Sequence, residues 1–179
     1  MNPMLDKMLC ERFPKLYADR HGSMQQTAMC WGFSCGDGWF RILFELSEEI
    51  DAILKKMDTD TGFTEATKTT KEPRTPAVDA FKVVQVKEKF GTLRYYVNYS
   101  SDEISAAVNK AEHRSAATCE ECGEPGVLRG TTWWRTACHK CAKGALPQGC
   151  AVTEQPCSKG TQGCAVDHVA EEAEETETP

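Results

Sequence analysis

Two Cys-x-x-Cys pairs, Cys119/Cys122 and Cys138/Cys141, lie 15 residues apart in the stretch CEECGEPGVLRGTTWWRTACHKC. Four thiolates in two pairs suit a tetrahedral ion, and zinc is the metal that this donor set takes, with Zn–S distances of about 2.3 Å. A Cys-x-x-Cys turn can aim both sulfurs at one ion while its backbone N–H groups support them. Gly123, directly after Cys122, supplies a residue able to take positive φ at such a turn. The spacer is long enough for a small hairpin, GVLRG out and TTWWRTA back. His139 sits inside the second knuckle and is not needed once two cysteine pairs are complete. Four protein ligands leave no open position for water or substrate, so the zinc is expected to be structural and to supply folding free energy.

The remaining cysteines carry less chemistry. Cys30 and Cys35 have an awkward spacing for a second site. Cys150, Cys157 and Cys164, with His168 nearby, lie in low-complexity sequence and read as exposed thiols or a second cluster. Cys10 reads as a small apolar filler. No Gly-rich phosphate loop, His-Glu-x-x-His or Gly-x-Ser-x-Gly occurs. Cys35, Asp37 and His21 in one loop suit a turn and a helix cap better than a reactive centre. A binding protein is expected rather than an enzyme.

A second group of residues could bind a partner. The stretch FKVVQVKEKFGTLRYYVNY carries Lys87, Lys89 and Arg94 among Phe90, Tyr95, Tyr96 and Tyr99, and the Cys-rich unit adds Arg129, Trp133, Trp134 and Arg135. Cations neutralise phosphates and exposed aromatic rings stack on bases. The residues expected to contact nucleic acid, DNA or RNA, are Lys87, Lys89, Arg94, Tyr96, Arg129, Trp134 and Arg135. Strand alternation puts Tyr95 with Leu93 and Val97 in the core and Arg94 with Tyr96 on the opposite face. Two other partner classes remain open: a host protein, met by the exposed Trp and the acidic tail, and a small anionic ligand such as a nucleotide, held by Arg94 and its Lys neighbours.

The elements that must position these residues follow from pattern. Residues 1–20 suggest a short helix with Met4, Leu5, Met8 and Leu9 on one face and a break at Pro14. Residues 21–37 read as a loop. Trp39, Leu43, Leu46, Ile50, Ile53 and Met57 recur at spacings of three and four, which predicts an amphipathic helix with Asp37 as its N-cap. Val84 and Val86 alternate with polar residues, as do Leu93, Tyr95, Val97 and Tyr99, which predicts a hairpin turning at Phe90-Gly91. SSDEISAAVNKAEHR predicts a second helix, with a Ser100/Glu103 capping box and a stripe of Ile104, Val108 and Ala111.

The fold class expected is therefore α+β: amphipathic helices packed on a β-hairpin, a small C-terminal four-cysteine zinc ribbon and a disordered acidic tail. The organisation reads as an N-terminal helical part (1–57), a Thr-rich linker or insertion (58–79), a hairpin–helix part of the core (80–117), the ribbon (118–143) and a Cys-containing acidic tail (144–179). Charge follows these divisions. Phe81 to Lys143 holds ten Lys/Arg against seven Asp/Glu, whereas Gly144 to Pro179 holds one against seven, so a pI near 5.3 conceals a mildly basic core. An apolar content of 40% agrees with part of the chain being unpacked. No signal-peptide pattern and no membrane-length apolar run is evident.

The motifs CGDGWFRILFEL, VVQVKEKFGTLRYYV and AEHRSAATCEECGEPGVLR…WWRTACHKCA together resemble small uncharacterised proteins of tailed phages and prophages. These share a Gly-Trp helix start, a Val-Lys-Glu-Lys-Phe-Gly-x-Leu-Arg hairpin and a C-terminal Cys-rich unit. The similarity covers about residues 30 to 143. It implies a phage or phage-derived source and a location in the cytoplasm of a bacterial host cell, and it carries no activity to transfer.

Overall fold

The computed structural model describes residues 1–60, 80–130 and 132–142. Most of the Thr-rich 58–79 segment, the 144–179 tail and its three cysteines lie outside the described residues. The fold is α+β. Helix α1 (Pro3–Arg12), two 3-10 turns (Ala18–His21 and Met29–Trp31) and a short strand β1 (Phe33–Ser34) lead through a third 3-10 turn (Asp37–Trp39) into helix α2 (Phe40–Asp60). The hairpin β2 (Val83–Lys89) and β3 (Thr92–Val97) follows, then helix α3 (Asp102–Ala116) and a two-stranded ribbon, β4 (Val127–Arg129) and β5 (Arg135–Ala137).

One apolar cluster unites the N-terminal helices with the hairpin. Trp39, at the end of the third 3-10 turn, and Leu43, Leu46 and Ile50 of α2 are buried as expected, while Ile53 packs at the margin of this stripe and Leu54 closes its end. On α1 only Leu9 is buried. Met4 and Met8 face solvent, and the chain continues its apolar side through Phe13, Leu16 and Tyr17 beyond the helix end. Asn2 caps α1 by accepting from the amides of Met4 and Leu5 at 2.9 and 3.1 Å. Asp37, expected to cap the next helix, instead accepts from the Asn2 amide at 2.6 Å and from Asn2 Nδ2 at 2.8 Å. Those bonds hold the Asp37 carboxyl below its ordinary pKa. Arg20 grips Asp6 through two nitrogens, at 2.9 and 3.0 Å, and donates to the Cys30 carbonyl at 3.0 Å, fastening the loop to α1.

The loop expected over 21–37 contains an edge strand. β1 pairs in parallel with β2, Phe33 beside Val86 and Ser34 beside Lys87, giving the sheet order β1-β2-β3. Two residues are too short for alternation to reveal. The hairpin turns where expected: Phe90 (φ 54°) and Gly91 (φ 80°) both take positive φ, the geometry of a two-residue type I′ turn. The register shifts between Val83 and Gln85, so Val83 and Val86 are the buried pair rather than Val84 and Val86. This irregularity adds a residue and moves the upstream side chains to the other face.

Buried polar groups are satisfied in place. Tyr17 Oη lies 2.7 Å from Ser47 Oγ and 3.3 Å from Tyr95 Oη, and Ser47 also donates to the Leu43 carbonyl at 2.7 Å. Burial raises both phenol pKa values above their ordinary range, so both stay protonated hydrogen-bonding groups.

Helix α3 covers the outer edge of β3. Its cap is Ser101, which accepts from the Ile104 amide at 3.3 Å, one residue later than the expected Ser100; Ser100 Oγ pairs with Ser105 Oγ at 2.7 Å instead. Ile104, Ala107, Ala111 and Ser115 form the buried stripe. Ser115 Oγ accepts from the Leu93 amide at 2.8 Å and donates to the Glu112 carbonyl at 2.6 Å, while Glu112 Oε1 accepts from the Tyr95 amide at 3.2 Å. Ser115→Ala leaves the Leu93 amide buried without an acceptor. The expected cost is about 1–3 kcal/mol, read as a lower urea midpoint with faster hydrogen exchange at Leu93. Wild-type protection there would contradict the bond.

Candidate metal centre

The four cysteines converge as the spacing requires. The sulfurs of Cys119, Cys122, Cys138 and Cys141 all lie within 4.8 Å of one another. The Cys122 and Cys138 sulfurs are 3.7 Å apart. A tetrahedron with metal–sulfur bonds of about 2.3 Å has edges of about 3.8 Å, so the spacing fits a four-coordinate ion. It is far beyond a disulfide bond of about 2.05 Å. This set can hold a structural metal ion, and it is the one metal-competent group among the described residues.

Each knuckle is shaped by its backbone. Gly123 takes φ 80° and its amide closes the first turn on the Cys119 carbonyl at 2.9 Å. In the second, the Cys141 amide points at the Cys138 sulfur from 3.4 Å and brings that thiol down to about 7. Cys141 is pushed up to about 12, first by its contact with the Cys122 sulfur and then by Cys138. Thiols so close cannot all ionise without a cation among them, which is the electrostatic demand a metal meets.

The ribbon is built onto the core through the motif CGDGW. The Gly38 amide donates to the Glu120 carbonyl at 2.8 Å, the Gly36 amide to Glu120 Oε1 at 2.9 Å and Trp39 Nε1 to the Thr118 carbonyl at 2.8 Å. Gly38 lies against the first knuckle so closely that a Cβ there would stand 2.8 Å from the Cys122 amide nitrogen and nearer still to the Cys119 carbonyl oxygen and Gly123 amide nitrogen. A second seat lies at the hairpin turn. Thr136 Oγ1 donates to the Gly91 carbonyl at 2.6 Å, and Leu128 and Arg135 crowd the Gly91 α-carbon. These seats were not read from the sequence. The signal available was a pair of glycines flanking Asp37 immediately before a helix.

The arginines of the ribbon are used internally. Arg129 is buried, and its Nε donates to the Ala137 carbonyl at 2.8 Å, next to Cys138. Arg135 donates to the carbonyls of Cys141 and Ala142 at 3.0 and 2.9 Å. Both were expected to contact a partner; instead they brace the second knuckle, because the carbonyls around a tight metal loop need donors. Trp134 is half-buried, and its neighbour Trp133, 77% exposed, is the ribbon's open aromatic ring. His139 is exposed, as expected.

The hairpin residues keep their expected face. Register pairs Gln85 with Tyr96, Lys87 with Arg94 and Lys89 with Thr92. Because facing residues share a side, these six lie on the side opposite the buried Val86, Tyr95 and Leu93. Ser34 extends the same side on β1. Lys87 Nζ stands 5.4 Å from the Tyr96 ring centroid and Lys89 Nζ 5.4 Å from that of Phe90. Arg94 is oriented by bonds to Thr92 Oγ1 and the Leu93 carbonyl, both 2.7 Å, and by Glu112 at 3.6 Å.

Cys30 and Cys35 do not join a metal-competent group. Cys30 Sγ donates to the Thr27 carbonyl at 3.0 Å. Cys35 is buried, which pushes its thiol up to about 12 and keeps it protonated near neutral pH. Burial, with Asp6 adding to it, likewise pushes Cys10 up to about 12. No helix of the described residues is long and apolar enough to cross a membrane. Comparison with protein families, with curated proteins and with solved structures gives no match, so the reading of this site rests on its own geometry.

Proposed function

We propose that this chain is a small zinc-stabilised accessory or regulatory protein of phage type that contacts nucleic acid through the outer face of its hairpin. The observation that carries this reading is the β2–β3 register, which sets Lys87, Lys89, Arg94 and Tyr96 together on one side of the sheet, with no carboxylate among the facing pairs there. Zinc is assigned because a closed set of four thiolates at tetrahedral spacing suits it best. Such a site leaves no position for a reacting group, and the proposed role is binding rather than catalysis. The bacterial cytoplasm is the matching location, given the resemblance to phage and prophage proteins.

Anisotropy titrations of labelled DNA and RNA, single- and double-stranded, at about 50 to 200 mM salt test this. Binding that weakens steeply with salt is expected. Complete indifference of every probe would end the nucleic-acid reading. One observation favours a second reading, a protein partner: the exposed Trp133 lines a cavity of about 650 Å³ whose walls hold Glu88, Glu120 and Glu121 beside Arg135 and Met1, a mixed-charge recess next to an open aromatic ring.

A further inference from the structure

The outer side of the sheet has a definite pattern. Two lysine–aromatic pairs, Lys87 with Tyr96 across the strands and Lys89 with Phe90 at the adjoining turn, carry lysines two residues apart along β2, and both rings are exposed, Tyr96 by 40% and Phe90 by 67%. Arg94 stands beside Lys87 in the register, its guanidinium oriented by Thr92 and Glu112. The residues of this side belong to two strands and the turn between them, not to a helix of the kind that reads a duplex groove. A ring lying on a sheet can stack only on a base that is free of its own neighbours. Duplex bases are already stacked, so such rings add nothing to duplex affinity, whereas unpaired bases gain about 1–3 kcal/mol each from an aromatic platform. β3 is six residues long, about 20 Å, room for a short run of unpaired nucleotides and for little of a duplex.

We infer that the ligand of this face is single-stranded nucleic acid, its bases stacked on Tyr96 and Phe90 and its phosphates met by Lys87, Lys89 and Arg94. This rests on the nucleic-acid reading above and narrows it. The cations number three, so the dependence of log K on log salt has a slope of about −2 for a single strand, a loss of about 16-fold between 50 and 200 mM.

The test uses the zinc-loaded full chain with a labelled 12-nucleotide oligothymidine, the matching oligouridine and a 12-base-pair duplex. The single strands should bind at least tenfold tighter than the duplex. Tyr96→Ala should weaken single-strand binding about tenfold with the salt slope unchanged, and Tyr96→Phe should restore it. Lys87→Gln with Lys89→Gln should bring the slope to about −0.7. Circular dichroism and zinc content confirm that each variant is folded, the expected state because none of the three positions is buried. Equal or tighter duplex binding, or a Tyr96→Ala variant that binds like wild type, overturns the single-strand assignment while leaving nucleic-acid binding intact. Failure of all three probes overturns both.

Discussion

Chelation of the metal is expected to unfold the helical core together with the ribbon. The ribbon's own buried cluster consists of Cys119, Ala137 and Cys138 with Cys141 against it, and contains no large apolar side chain. A unit of that size cannot fold on apolar burial alone. A structural zinc supplies roughly 10–16 kcal/mol of apparent binding free energy, as much as a domain's whole stability of about 5–15 kcal/mol. Its loss reaches the core because the ribbon satisfies core groups. Without Thr118 in place the fully buried Trp39 loses the acceptor of its indole N–H, and an unsatisfied buried donor costs about 1–3 kcal/mol. The Gly38 amide and the Gly91 carbonyl lose their partners at the same time. Far-UV circular dichroism and tryptophan fluorescence, followed alongside metal release, should therefore change in one transition. Full release with an unchanged helical signal and a Tm shift below about 2 °C would show that the ribbon is a detachable appendage.

Gly38→Ala should be among the most damaging single substitutions outside the cysteines. The added methyl meets only backbone: the Cys119 carbonyl, the Gly123 amide and the Cys122 amide. Backbone cannot rotate aside as a side-chain end can, so either the knuckle or the start of α2 must move. Movement breaks the Gly38–Glu120 bond and displaces two metal ligands. Overpacking typically costs about 1–3 kcal/mol, and the lost hydrogen bond adds about 1. A destabilisation of about 3 kcal/mol or more is expected, with faster metal release to a competing chelator. Denaturation curves and chelator kinetics that match wild type would mean that the two segments are not in register as described.

These two predictions depend on contacts that no pattern in the sequence announces. The four-cysteine site was legible because ligand spacing is a local property, and so was the Phe90-Gly91 turn, flanked by alternating strands. The α2 stripe was legible because a helix of about six turns repeats the same period throughout. The shorter features were not. β1 offers two residues, and its parallel partner lies about fifty positions later. The shift between Val83 and Gln85 breaks the alternation on which the face assignment relied. Arg129 and Arg135 resembled free cations because the sequence does not say which carbonyls lack donors, and the metal loop has several. The CGDGW glycines read as a turn, whereas their small size admits a second segment of backbone about eighty residues away.

The way α3 lies along β3 also limits how this molecule can meet its surroundings. A small open sheet ordinarily risks growth from its edges, since unpaired N–H groups invite another chain to add a strand. Here Ser115 and Glu112 occupy the outward amides of Leu93 and Tyr95. The opposite edge is a strand of only two residues. The edges thus offer almost nothing to template on, and the broad side of the sheet stays open. Contact is steered away from backbone pairing, which is indifferent to sequence, and towards side-chain recognition by the residues displayed there.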